Sequence, residues 1–235
     1  MEETTPPAVL QPDVYWDGLR IQEPVVAATS LLVTAVCWYA AWRLGHTAPT
    51  NHVTRWLRLF FVLMGCSTLT GGLLGHAFLY RLDKTWKLPS WILSMAAVAA
   101  LGQAAIGHAR HLLAPAVARA LAALNGLFLV VCLYLAVDTL FFPFVEMHAG
   151  FGLLLIMGSC EFYIYRKNGD PGSRLMLLSI LPLVAAVAVH IAKFSPHMWF
   201  IYFDVGHVLM CLSILLMLRA GQAMFPEKIG CDRME

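Results

Sequence analysis

Seven apolar runs, each long enough to cross a lipid bilayer, follow one another along this chain. They fall at roughly residues 24–44, 54–80, 88–107, 113–137, 142–165, 174–194 and 198–219. At about 1.5 Å of rise per residue, about 20 residues cross a hydrocarbon core of about 30 Å. A backbone in lipid must pair its own N–H and C=O groups, so runs of this length are read as helices. Composition agrees, with 60% of residues hydrophobic and 13% charged. The expected fold is all-α: a polytopic integral membrane protein of seven transmembrane helices.

The connections are short and no second domain is expected. Residues 1–23 form a short extramembrane segment, 24–219 the bundle and 220–235 a tail. Residues 1–23 are acidic and contain Pro, with no basic stretch ahead of a short apolar one, so they do not read as a signal peptide. The stretch Asn168-Gly-Asp-Pro-Gly-Ser173 marks a turn between the fifth and sixth spans. Pro89, Pro115, Pro143 and Pro196 sit near expected helix starts, and Pro182 is expected to kink the sixth span. Of the 16 Lys and Arg residues, eleven fall in the 1–2, 3–4 and 5–6 connections and the carboxyl-terminal tail. The positive-inside rule then places the amino terminus outside and the carboxyl terminus inside. No basic run or RNA-type motif points to nucleic acid. The six cysteines lack CxxC spacing and read as small core residues.

Against this frame, His76, His148, His190, His197 and His207 all fall toward the outer side. Imidazoles in a bilayer face a cavity, a partner or a metal. Asp204 and His207, three residues apart, share one helix face. Asp204 has two readings: a metal ligand beside His207, or a carboxylate that orients a ligand histidine. A structural Asp–His pair is the plainer alternative. Gly71, Gly72 and Gly75 allow close helix approach ahead of His76. His148 and His190 are reserve ligands or substrate contacts, and His197 an interfacial cap. His46, His52, His108 and His111 fall at the inner boundary, where lipid headgroups explain them. Glu161 is expected to pair with Arg166 or Arg174, Asn125 to bond between helices, and Asp83 to be solvated or to assist from the edge of the site. The aromatic run around Trp199 reads as an interfacial belt.

The stretches Gly71-Gly-Leu-Leu-Gly-His76-Ala-Phe78 and Tyr202-Phe-Asp-Val-Gly-His207 carry a resemblance. With seven spans and these two histidines, the chain resembles the CREST superfamily, which contains alkaline ceramidases and progestin/adiponectin-type receptors. The resemblance implies a zinc ion between the second and seventh helices that activates water to cleave a lipid amide. His76 and His207 match directly. Where the family has Ser, four residues before the first histidine, this chain has Gly72. Where it has another histidine, four residues before the last, this chain has Phe203, and the third span has no carboxylate. A zinc set of His76, His207 and Asp204, with His148 as substitute, is the remaining expectation. His190 and Asp83 are then the candidate acid/base groups. The expected function is a zinc-dependent intramembrane hydrolase acting on a membrane lipid. The alternatives are a non-catalytic receptor, assembly factor or accessory subunit, and a haem-binding redox protein. A transporter is less favoured, since no internal repeat is visible. The expected geometry is direct: the second and seventh helices touch, and His76 faces His207.

Overall fold

The computed structural model describes residues 11–225. Seven helices are long and apolar enough to cross a membrane: α1 Pro24–Thr47, α2 His52–Ala77, α3 Lys84–Ala109, α4 Pro115–Thr139, α5 Pro143–Asn168, α6 Pro171–Ala192 and α7 Tyr202–Ala223. Expected positions in residues 1–10 and 226–235, including Cys231, lie outside the described residues.

Helix starts follow local chemistry. Proline opens α1, α4, α5 and α6, where a missing N–H costs nothing. At the start of α2, the Asn51 side chain accepts from the Thr54 N–H while the Thr54 hydroxyl accepts from the Asn51 N–H, each at 3.0 Å. Pro196 opens no helix. It precedes a turn in which His197 and Phe200 exchange backbone hydrogen bonds, so α7 starts at Tyr202 rather than near 198. α6 is interrupted at Ser179, one turn before Pro182, and Ser213 of α7 donates to the Ser179 carbonyl at 2.8 Å. Two stretches, Gly71–Ala77 of α2 and Phe151–Gly158 of α5, wind as π-helix.

α3 is the central helix. In its most apolar window 61% of residues are buried, against 17% for α4 and for α6. The faces of α4 and α6 carry exposed Leu127, Val130, Tyr134, Leu181 and Ile191, as helices facing lipid do. Asn125 of α4 donates to the Ala99 carbonyl of α3 at 2.9 Å. That is the interhelical bond expected of a mid-span amide. The five described cysteines are all free thiols.

Ahead of α1 lies a short hairpin, β1 Val14–Trp16 and β2 Leu19–Ile21. Its turn is Asp17-Gly18, with φ of 49° and 76°, the left-handed backbone that two-residue hairpin loops require. The Gln22 N–H then donates to the Ala77 carbonyl at 3.0 Å, which ties the segment across the end of α2.

Candidate functional site: the histidine layer at the hairpin end

His76 sits in the π-helical turn that ends α2. That turn approaches α1 closely, because a Cβ on Gly72 would lie 2.8 Å from the Ser30 Cβ. Only a residue without a side chain fits. The approach brings His76 Nδ1 to 2.6 Å from Glu23 Oε2, at the start of α1.

His207 is also held by α1. Its Nδ1 lies 2.8 Å from the Thr29 hydroxyl, which lies 2.9 Å from Asp204 Oδ1. The other Asp204 oxygen accepts from Gln11 Nε2 and from the Ile201 N–H, both at 2.8 Å. Gln11 reaches in from the segment before the hairpin, and its own carbonyl accepts from the N–H groups of Val25 and Val26 at 3.2 Å. Asp204 and Gln11 are both buried. Each acceptor of this buried carboxylate is satisfied, which offsets the cost of removing it from water.

With Glu23 and Asp204 ionised and Thr29 donating to an oxygen, these contacts set the tautomers. A carboxylate only accepts, so His76 Nδ1 carries the proton shared with Glu23. Thr29 has one hydroxyl proton, and Asp204 and the Val26 carbonyl, at 3.1 Å, only accept. With that proton spent on an acceptor, the imidazole supplies the proton of the third contact. Neutral His76 and His207 therefore both keep their lone pair on Nε2. Among the described residues neither Nε2 has a hydrogen-bond partner.

His190 approaches the layer from α6. Its ring packs on Tyr202 at 5.1 Å and on Phe203 at 5.5 Å, and its Nε2 is 3.4 Å from Lys193 Nζ. Phe203 also meets the His76 ring at 5.5 Å, so its ring stands between the two imidazoles. The other candidates lie apart from this cluster. His148 is 0% exposed, stacked on Phe128 of α4 at 6.2 Å, with both ring nitrogens unpartnered. Asp83 is exposed and accepts from the Thr85 N–H and hydroxyl. Those bonds hold its carboxyl below the usual carboxylate range and make it the cap of the short turn that opens α3. His197 is exposed, and its Nδ1 accepts from the Trp199 N–H at 3.1 Å.

α1 supplies a hydrogen-bond partner to each ring, Glu23 to His76 and Thr29 to His207, and the end of α2 meets α7 where the His76 ring packs on Phe203 at 5.5 Å. One expectation changes here. Glu161 pairs with neither Arg166 nor Arg174. Its carboxylate bonds His108 at 3.1 Å and the Ser173 hydroxyl at 2.7 Å, so His108 is the half-buried partner of a buried carboxylate rather than a headgroup contact. Gln11, Glu23 and Thr29 were not singled out in the sequence. The Asp-Gly turn between β-prone residues was the signal that residues 11–23 fold back on the bundle. Thr29 carries no such signal.

These contacts leave no room for the zinc set that the resemblance implies. Both Asp204 oxygens are occupied, and Phe203 fills the position of the missing histidine. Among the described residues no three His, Cys, Asp or Glu side chains are placed to hold a metal ion. A catalytic zinc takes three protein ligands, so the residues as arranged do not fit it. Nor do they offer a haem slot, since aromatic rings pack directly on His76 and His190.

Apolar helices with apolar outer faces, closed at one end by a hydrogen-bonded histidine–carboxylate layer, define a multi-helix bundle of the membrane-spanning type. The match to known families narrows this by one step. The chain belongs to DUF6962, a family of unknown function, whose model matches residues 25–225. The match covers the seven helices and leaves out Gln11 and Glu23. No curated protein and no solved structure matches the chain.

Proposed function

We propose that this chain is a multi-pass membrane protein, amino terminus outside, that binds a lipid-derived ligand at the hairpin end of the bundle. The observation that carries this reading is that His76 and His207 both commit Nδ1 to α1, through Glu23 and Thr29, while neither Nε2 has a protein partner among the described residues; in the neutral Nδ1–H form each Nε2 is an acceptor. Two such acceptors recognise a hydroxyl or an amide N–H. In a bilayer, the ligands that bring those groups to this depth are N-acyl or hydroxylated lipids. The bias of Lys and Arg toward one set of connections supports the orientation. The test is mass spectrometry of lipids retained after delipidation. The expected result is a hydroxyl- or amide-bearing lipid held by the wild type and lost from the His76→Ala, His207→Ala double variant. Equal retention by both proteins overturns the reading.

A second reading, hydrolysis of a lipid amide, is favoured by the chain Asp204–Thr29–His207. It orients the His207 ring as a general base is oriented, with Nε2 toward the reacting proton. Fatty-acid release from an N-acyl lipid that falls by about 100-fold or more in His207→Ala supports it, a typical general-base contribution. No release by the wild type removes it. Stoichiometric zinc, lost on substitution of His76 or His207, would bring back the zinc-dependent form of the reaction.

A further inference from the structure

At the end of the bundle opposite the hairpin, a cavity of about 460 Å³ opens where α6 begins and where α3, α5 and α7 end. Its polar lining is His108, His111, Asn168 and Asp170, and Ile164 and Phe225 contribute to an apolar wall. This size is that of small-molecule pockets. Among the described residues no Lys or Arg lines it.

The proton positions are again fixed by neighbours. Behind His108 lies Glu161, 1% exposed, with its oxygens 3.1 and 3.3 Å from His108 Nδ1. The Ser173 hydroxyl donates to the same carboxylate at 2.7 Å. His108 Nδ1 therefore carries a proton. His111 Nδ1 lies 2.9 Å from the His108 carbonyl oxygen, which only accepts, so it carries a proton as well. In their neutral forms both rings hold the lone pair on Nε2, and among the described residues neither Nε2 has a protein hydrogen-bond partner. Asp170 caps α6 by accepting from the Ser173 N–H through Oδ2, which leaves Oδ1 without a protein donor among the described residues. The lining thus offers two imidazole lone pairs and a carboxylate oxygen, with a second carboxylate buried behind them.

We propose that this cavity binds a primary ammonium group, carried by a free amine or by an aminophospholipid headgroup. An ammonium has three N–H donors and no acceptor, which complements His108 Nε2, His111 Nε2 and Asp170 Oδ1. Its charge is opposite to that of Asp170 and Glu161, and the apolar wall takes the adjoining methylenes. The site is independent of the hairpin-end layer, which lies at the other end of the same helices.

The test is isothermal titration of the full chain in phosphatidylcholine nanodiscs at pH 8, with ethanolamine and with choline. Choline carries the same charge but no N–H. The expected result is saturable ethanolamine binding, at least about ten-fold tighter than choline. Asp170→Asn keeps an N-cap of equal quality and removes the charge; it is expected to weaken ethanolamine about ten-fold or more with no change in melting temperature. His111→Phe is expected to weaken it likewise, and the His76→Ala, His207→Ala variant to leave it unchanged. Equal binding of ethanolamine and choline, no saturable binding, or full affinity in Asp170→Asn overturns the proposal. Repetition in phosphatidylethanolamine nanodiscs identifies the source: loss of free ethanolamine binding points to the lipid headgroup, retained binding to the free amine.

Discussion

At the scale of single residues, the key group is Thr29. The sequence places Asp204 and His207 on one face of a helix, and the natural inference is that both point at a common object. They do, and the object is a hydroxyl of a neighbouring helix. Spacing along one helix reveals a shared direction but not what stands opposite. Thr29→Val removes the hydroxyl at nearly constant volume and leaves a buried carboxylate oxygen and an imidazole nitrogen short of a partner. The expected cost is about 1–3 kcal/mol, seen as a lower thermal melting point, and Thr29→Ser should restore it. A Thr29→Val protein as stable as wild type would show that the bridge contributes little. Glu161 teaches the same lesson at the other end. Arg166 and Arg174 lie 5 and 13 positions along the chain, yet His108, 53 positions away, is its partner.

At the scale of elements, most of the helices were legible because the apolar runs and their prolines are local signals. Runs that must cross lipid cannot be short, and Pro115 and Pro143 each open the helix expected of them. What was not legible is the winding near Gly71–Ala77, because a π-turn depends on how closely a second helix packs. The fit of Gly72 against Ser30 of α1 shows that packing. Gly72→Ala should destabilise the protein by about 1–3 kcal/mol as an overpacked contact. Adding Ser30→Gly should recover much of that loss, measured by thermal denaturation of the double variant. Phe203 supplies the second element-level prediction. Its ring already touches His76 and faces His190, so Phe203→His adds a third imidazole to a place that has two. The expected outcome is zinc retained through dialysis by Phe203→His, with metal analysis as the readout. A variant that binds no zinc would mean that the ring nitrogens cannot be brought to one point.

At the scale of the whole molecule, the count of long apolar helices was readable from the sequence, while the closure of the amino-terminal segment over the bundle was not. Hydropathy sees residues 11–23 only as a polar lead. Their role emerges from Gln11 and Glu23, which supply partners to Asp204 and His76 from outside the apolar runs. The orientation is testable directly. With the amino terminus outside, a small tag before Met1 should be labelled on intact cells, and one after Glu235 only after permeabilisation. The reverse pattern would invert the assignment of the two polar sites to the two membrane faces.

The bond between Gln11 and Asp204 joins positions 193 residues apart. A ribosome makes the first of these long before the second, and domains form as the chain emerges. For nearly the whole period of synthesis Gln11 therefore has no Asp204 to bond, although Gln22 and Glu23 already have Ala77 and His76 of α2. Only when the last helix arrives does the buried carboxylate find its amide. Docking of Gln11 is thus the last step in closing the amino-terminal segment, and a chain cut short before α7 keeps the contacts to α2 but leaves the Gln11 amide N–H without its carboxylate.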